Sequence, residues 1–367
     1  MSASISSSEA LAALRRGERL DPALVRALGE ERPAEFFRDI VEPLSDSFDP
    51  AQVAAYEDLM RVWIPQAPPV QPAIPARVDS VDILSRVTLG SDIKITSIII
   101  DAMKRRFPDA AIRFVANRKS AELFAADPRV THIEAEYPRS GPVSLRLAFA
   151  AEFRQKLAAP NRIVIDPDSR MTQLGLLPAC EPQHYFHFPS RTANSAANLT
   201  RLTQDWLAET FGASGNAYIA PLPVPVEGER PRATISLGVG GNDSKRIGGE
   251  FETGLIRDLA TRYRTLWIDR GAGGEEAVRV TAAVEASGAA RQVHYWEGSF
   301  AGFASIVSQC DFYAGYDSAG QHAAAAAGIP LTTWFAGAPS ERFRERWTPA
   351  GTGRIRVINE AEWTSQP

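Results

Sequence analysis

Three short segments combine carboxylates, cations and glycines in patterns that suit proton transfer and phosphate binding. The first, Thr88-Leu89-Gly90-Ser91-Asp92-Ile93-Lys94, places a glycine turn and a carboxylate just after an apolar stretch. Asp92 has two readings there: an N-cap that accepts hydrogen bonds from the free N–H groups of a helix, or a general base that takes a proton from a hydroxyl. The second, Leu237-Gly238-Val239-Gly240-Gly241-Asn242-Asp243-Ser244-Lys245-Arg246, sets glycines beside two cations. Its backbone can approach a ligand closely at Gly240, Gly241 and Asn242, and with Lys245 it suits a phosphate or is simply a solvated turn. It lacks the Gly-Lys-Ser/Thr of a Walker A loop, and Asp243 stands where a dinucleotide fingerprint has its third glycine. The third runs from Tyr316 through Asp317-Ser318-Ala319-Gly320-Gln321-His322 into an alanine helix closed by Gly328 and Pro330. The N-terminus of that helix suits a diphosphate, with Asp317 accepting hydrogen bonds from sugar hydroxyls. The plainer alternative is a capped, tightly packed helix with His322 as an ordinary packed or surface histidine.

Weaker candidates follow other strands. In Asp166-Pro167-Asp168-Ser169-Arg170-Met171-Thr172-Gln173, Arg170 and Gln173 either contact an acceptor or belong to a polar turn. Glu275 and Glu276 open a helix, where Glu275 would reach a ribose diol or merely complement the helix dipole. His184 and His187 have no Cys or acidic partner at metal-ligand spacing, so no metal site is expected. Lys104-Arg105-Arg106 is a local basic cluster, open to membrane contact or to solvent.

The elements that must position these residues fall into three parts. Residues 1 to about 64 carry helical spacing, as in Leu20, Leu24, Leu28 and again Val53, Tyr56, Leu59 and Met60. Pro65, Pro68, Pro69, Pro72 and Pro75 then impose an extended linker. From Val81 strands alternate with helices: strands near Val81 to Leu89, Ile112 to Ala116, Val130 to Glu134 and Arg162 to Asp166. Pro221, Pro223 and Pro225 break this rhythm, which restarts at Thr234 and runs through strands near Leu266, Gln292, Phe312 and Leu331. The expectation is an α/β chain: a helical extension and linker (1–75), then two tandem Rossmann-like domains (76–222 and 223–367) facing a cleft.

Composition narrows the function classes. The 367 residues exceed one domain of roughly 150 residues. A formal charge of −4 provides no general field for nucleic acid. Two cysteines, Cys180 and Cys310, rule out a disulfide framework. The first ten residues lack the basic start and apolar run of a signal peptide, and no apolar run is long enough to span a bilayer, so a cytoplasmic protein is expected.

Over roughly residues 80 to 340 the chain resembles the heptosyltransferases, the family 9 glycosyltransferases of the GT-B arrangement. The resemblance rests on the Gly90 to Asp92 turn, Lys245 in the loop opening the second domain, and above all Asp317-Ser318-Ala319-Gly320-Gln321-His322 with the helix that follows. It implies inverting transfer of a sugar, typically heptose from an ADP-linked donor, to a lipopolysaccharide core or related glycan at the cytoplasmic face of the inner membrane. It further implies that Asp92 deprotonates the acceptor, that Lys245 and the Asp317 to Gly320 backbone steady the departing diphosphate, and that no metal cofactor is obligatory. Ser91 departs from the family pattern, in which glycine and aspartate are often adjacent; Ala319 stands where glycine is frequent, and the helical extension is unusual. A non-hydrolysing sugar-nucleotide epimerase and a non-catalytic nucleotide-sugar-binding protein are the competing readings.

Overall fold

The computed structural model describes residues 5–193, 197–240, 242–248, 250–271, 273–338 and 340–359. Its N-terminal part is built from α1 (Ser7–Arg15), α2 (Pro22–Glu31) and α3 (Pro50–Met60), with a bent helical passage at Phe36–Val41 and Glu42–Ser45 between the last two. Local signals set these ends. Ser6 and Glu9 form a reciprocal capping box. Asp21 and Asp49 each cap two N–H groups, just ahead of a proline at the first helical position. The apolar faces of these helices close on a core of their own that includes Leu14, Leu28, Phe36, Ile40, Leu44 and Tyr56. Val143 and Leu174 of the next domain join that core, and the Arg146 guanidinium lies 3.3 Å from the centroid of the Phe37 ring. The extension is therefore docked on the body of the protein.

The first sheet contains β1 (Ser80–Leu84), β2 (Ala111–Ala116), β3 (Val130–Glu134), β4 (Arg162–Asp166) and β5 (Tyr185–His187), all parallel in the order β3-β2-β1-β4-β5. Its crossovers include α4 (Ser97–Arg106) and α5 (Val143–Leu157), and α6 (Leu199–Phe211) follows β5. β1 is buried on both faces, as parallel strands under helices are. Its central Asp82 is fully buried and is neutralised by Arg113 and Arg162 from the strands on either side.

The second sheet contains β6 (Arg232–Ser236), β7 (Thr265–Asp269), β8 (Val293–Trp296), β9 (Phe312–Tyr316), β10 (Leu331–Phe335) and β11 (Ile355–Asn359), parallel in the order β11-β10-β9-β6-β7-β8. Helices α7 (Phe251–Arg262), α8 (Gly274–Ser287), α9 (Phe300–Val307) and α10 (Ala319–Ala326) connect its strands, and α11 (Glu341–Trp347) precedes β11. In both sheets the chain starts in the middle, builds one flank and crosses to the other, the doubly wound pattern that opens a crevice where the order reverses. Those reversals lie between β1 and β4 and between β6 and β9. The alternation expected from the sequence is present, with differences at particular elements: β1 stops at Leu84, and β5, β11, α5 and α6 had no expectation attached to them. α11 packs back on the first domain, where Phe343 and Trp347 join its core and Arg342 donates 3.0 Å to the Ala193 carbonyl.

Candidate active site

The loops that leave the carboxyl ends of β1, β4, β6 and β9 converge on one cleft of about 470 Å³. Gly90, Ser91, Thr88 and Arg86 come from the first reversal with Arg170, while Gly240, Asn242, Lys245, Asp317, Ser318, Ala319 and His322 come from the second. The two walls touch at Gly90. A Cβ there would lie 3.2 Å from the His322 ring and 3.5 Å from Ala319 Cα, so a larger side chain would wedge the domains apart.

The second wall is organised by one ion pair. Lys245 Nζ donates to Asp317 Oδ2 at 2.8 Å and to the Asp317 carbonyl at 3.3 Å, and Gln321 Nε2 donates to Asp317 Oδ1 at 2.6 Å. Each carboxylate oxygen keeps a further lone pair for a ligand hydroxyl. Ser318 begins α10 in extended conformation and makes no side-chain cap, so the start of the helix lines the same cleft wall as Lys245. Gly240 has φ +63 and turns the backbone toward the cleft, and Asn242 caps the short turn at Asp243–Lys245 by accepting from Ser244. This wall gathers an ammonium, uncapped N–H groups and a carboxylate that can bind hydroxyls, a combination suited to a diphosphate joined to a sugar. His322 is 4% exposed; burial, with Lys94 and Lys245 nearby, holds its imidazole well below the ordinary range and so neutral.

Several expected residues are placed elsewhere. Asp92 does not face the cleft: it is fully buried, accepting from Ser85 Oγ (2.6 Å), the Arg86 N–H (2.9 Å) and Thr96 Oγ1 (2.9 Å). Burial pushes its carboxyl above the usual range against those bonds. One helical step separates it from Ser91, which does line the cleft. Gln173 is 3% exposed and turned inward, donating to Tyr137 and to the Arg170 carbonyl, while its own carbonyl accepts from Tyr56 of the extension. Gly320 serves packing: a Cβ would overlap the Tyr313 ring, so the glycine lets α10 lie on β9. Glu275 is exposed, whereas its neighbour Glu276 reaches Gly238 and Gly271 at the ends of β6 and β7. Asp269 at that point is pushed up to about 6 by burial, with Glu276 adding to the effect. Gly241 lies outside the described residues. Arg170 lines the cleft as expected.

Other lining residues were not singled out by the sequence. Arg86 and Arg191 stand with Arg170 on the first wall, Asp46 and Phe48 arrive from the extension, and Phe343 and Trp347 from α11. Arg191 Nη1 donates 2.8 Å to the Asp168 carbonyl, and Ser190 Oγ bridges Arg86 Nη1 (2.7 Å) to Asp168 Oδ2 (2.9 Å). Burial first, then the neighbouring Arg191, push the Arg86 guanidinium down to about 9, while Asp168 and Asp46 act the other way. The basic cluster at Lys104–Arg106 is engaged locally, with Asp127 (2.6 Å), Asp101 (2.7 Å) and the Phe211 carbonyl (3.2 Å). Among the described residues no group of three His, Cys, Asp or Glu is placed to hold a metal ion, and no helix is long and apolar enough to cross a membrane.

Two doubly wound parallel sheets facing one cleft make the two-domain architecture of the GT-B fold. Within it, the chain has the fold of solved heptosyltransferase and family 9 structures. Against E. coli heptosyltransferase WaaC with ADP the TM-score is 0.57 at 18% identity, covering 76% of this chain and 93% of that one. The glycosyl transferase family 9 structure from Veillonella parvula gives 0.57 at 15% identity, with 78% and 87% covered. E. coli ADP-heptose lps heptosyltransferase II gives 0.52 at 17% identity, with 76% and 90% covered. No protein-family model and no curated sequence matches the chain.

Proposed function

We propose that this protein is an inverting glycosyltransferase that moves a sugar, a heptose carried on ADP, onto a lipopolysaccharide core or related glycan. The observation that carries the reading is the Lys245–Asp317 pair set against the uncapped start of α10, opposite an arginine-lined wall in the same cleft. In a direct displacement the acceptor oxygen forms a bond to the anomeric carbon while the bond to the diphosphate breaks, and the electron pair leaves on the diphosphate. Lys245 and the α10 N–H groups oppose that growing charge, in a cleft where water screens them weakly. Asp317 orients the sugar through the lone pairs that Lys245 and Gln321 leave free. On this reading Glu276, beside Gly238 and Gly271 past the ends of β6 and β7, takes the ribose in place of Glu275. Arg170, with Arg86 and Arg191, takes the acceptor side. Such an acceptor at the inner membrane would bring the enzyme there peripherally from the cytoplasm.

The test is incubation with ADP-heptose and a heptose-deficient lipopolysaccharide core, followed by mass analysis. Gain of one heptose, with release of ADP, is expected. Conversion of a free UDP-sugar with no acceptor would instead identify a sugar-nucleotide epimerase. ADP binding without turnover of any donor would identify a nucleotide-sugar-binding protein.

A further inference from the structure

Glycosyl transfer to a hydroxyl requires a base, because the acceptor oxygen must shed its proton as it attacks. Among the described residues that line the cleft, the carboxylates are Asp46 and Asp317. Asp317 belongs to the donor wall, where Lys245 and Gln321 hold it. Asp92 is sealed in the core. The lining hydroxyls of Thr88 and Ser91 are bonded to each other, and a proton on His322 would be opposed by Lys94 and Lys245.

Asp46 comes from neither sheet. It sits in the turn between Glu42–Ser45 and α3, and the residues around it fix that turn in place. Leu44 and Ser45 are fully buried, and Ser47 Oγ donates 2.8 Å to the Leu44 carbonyl while accepting 3.1 Å from the Asp49 N–H. Phe48 has φ +57, a left-handed conformation costly for a side chain of its size. That turn directs its ring edge-on to Phe343 (6.1 Å) and Trp347 (6.3 Å) of α11. The turn is thus clamped between the extension's own core and the far domain's last helix, with the carboxylate facing into the cleft. There Oδ1 accepts twice from Arg191, at 3.1 and 3.0 Å, and Oδ2 accepts once from Arg170 at 2.7 Å. With two lone pairs per oxygen, Oδ2 has one direction left. The side chain is 41% accessible to solvent, although the guanidinium groups that hold it are largely covered.

We infer that Asp46 is the general base of this cleft, so that the N-terminal extension completes the active site. The assignment rests on the glycosyltransferase reading above. The acceptor hydroxyl bonds to the free direction of Asp46 Oδ2; as its oxygen closes on the anomeric carbon, the proton passes to that carboxylate and the electron pair of the breaking bond leaves on the diphosphate. Arg170 and Arg191 orient the carboxylate and keep it ionised. Burial alone would raise its pKa, but the two guanidinium groups reverse that and hold it below the ordinary carboxylate range. A weak base suffices here because the attacking hydroxyl becomes strongly acidic as its new bond forms.

The test follows ADP release from ADP-heptose, with a heptose-deficient lipopolysaccharide core and with water as acceptors. Asp46→Asn should lower kcat at least about 100-fold, the range of a lost general base, while ADP affinity by calorimetry changes less than about threefold. Formate should restore part of the kcat of Asp46→Ala, since a small carboxylate can occupy the vacated space, without raising that variant's melting temperature, whereas a purely anchoring role would move the two together. Retention of kcat within about threefold by Asp46→Asn overturns the assignment. So does loss of activity in both variants with a lowered melting temperature and no response to formate. Wild-type protein that binds ADP but releases none from ADP-heptose refutes the donor reading itself, a distinguishable failure.

Discussion

At the scale of single residues, a one-position step decides which side chain faces the cleft and which faces the core. Successive helical residues point about 100° apart, so Ser91 faces the cleft while Asp92 faces the core, and the same step separates exposed Glu275 from Glu276. Sequence reading singled out segments that contribute residues to one cleft and missed the phase within them, because phase depends on where the helix starts. Asp92→Asn should therefore act on stability: disturbing three buried hydrogen bonds is expected to cost about 1–3 kcal/mol in denaturant unfolding, with ADP affinity unchanged in the folded protein. Lys245→Ala should do the reverse. Loss of one charge-assisted contact to phosphate, about 1.5–3 kcal/mol, weakens ADP roughly 10- to 100-fold by calorimetry with little change in melting temperature.

At the scale of elements, α10 was the most legible. Its strand, small residues and terminating Gly328 and Pro330 are contiguous in sequence, so periodicity and capping rules reach all of it. What contiguity hid was the packing role of each glycine, since Gly320 lies against the Tyr313 ring and is not among the residues that line the cleft. Gly320→Val should lift α10 from β9, costing about 1–3 kcal/mol by overpacking and weakening ADP together with stability, a coupling that calorimetry and melting would both read. A second element-level contact is Lys94, in the helical stretch Asp92–Thr96, which is 2% exposed and donates 2.6 Å to the Thr348 carbonyl beyond α11. Burial pushes its pKa down to about 7, with Asp317 acting the other way. The unfolded chain keeps that proton to about pH 10.4. Between pH 7 and that point the unfolded state binds more protons, so this group's contribution to stability rises with pH. Melting temperature measured from pH 7 to 10 should climb for the wild type relative to Lys94→Met, the two curves running parallel below pH 7.

At the scale of the whole molecule, the two doubly wound sheets were legible because each strand and helix declares itself locally. The assembly around them was not. Asp46 and Arg191 meet although they stand 145 positions apart in the chain, and α11 returns to the first domain after the last crossover. Nothing in local spacing encodes such meetings; they follow from the extension burying its apolar faces on Val143 and Leu174 and from Phe48 reaching Phe343 and Trp347. The extension accordingly belongs to the cleft as well as to the outer surface.

The central claim is that the second wall of this cleft holds the diphosphate of an ADP-linked sugar. It is tested most directly by thermal unfolding of the full chain with ADP, ADP-heptose and UDP in turn. A ligand at about a hundred times its dissociation constant stabilises the folded state by roughly 2.7 kcal/mol. The account predicts an upward shift with ADP and ADP-heptose that Lys245→Ala largely abolishes, and none with UDP. A shift with UDP alone, or an ADP shift undiminished by Lys245→Ala, would contradict it.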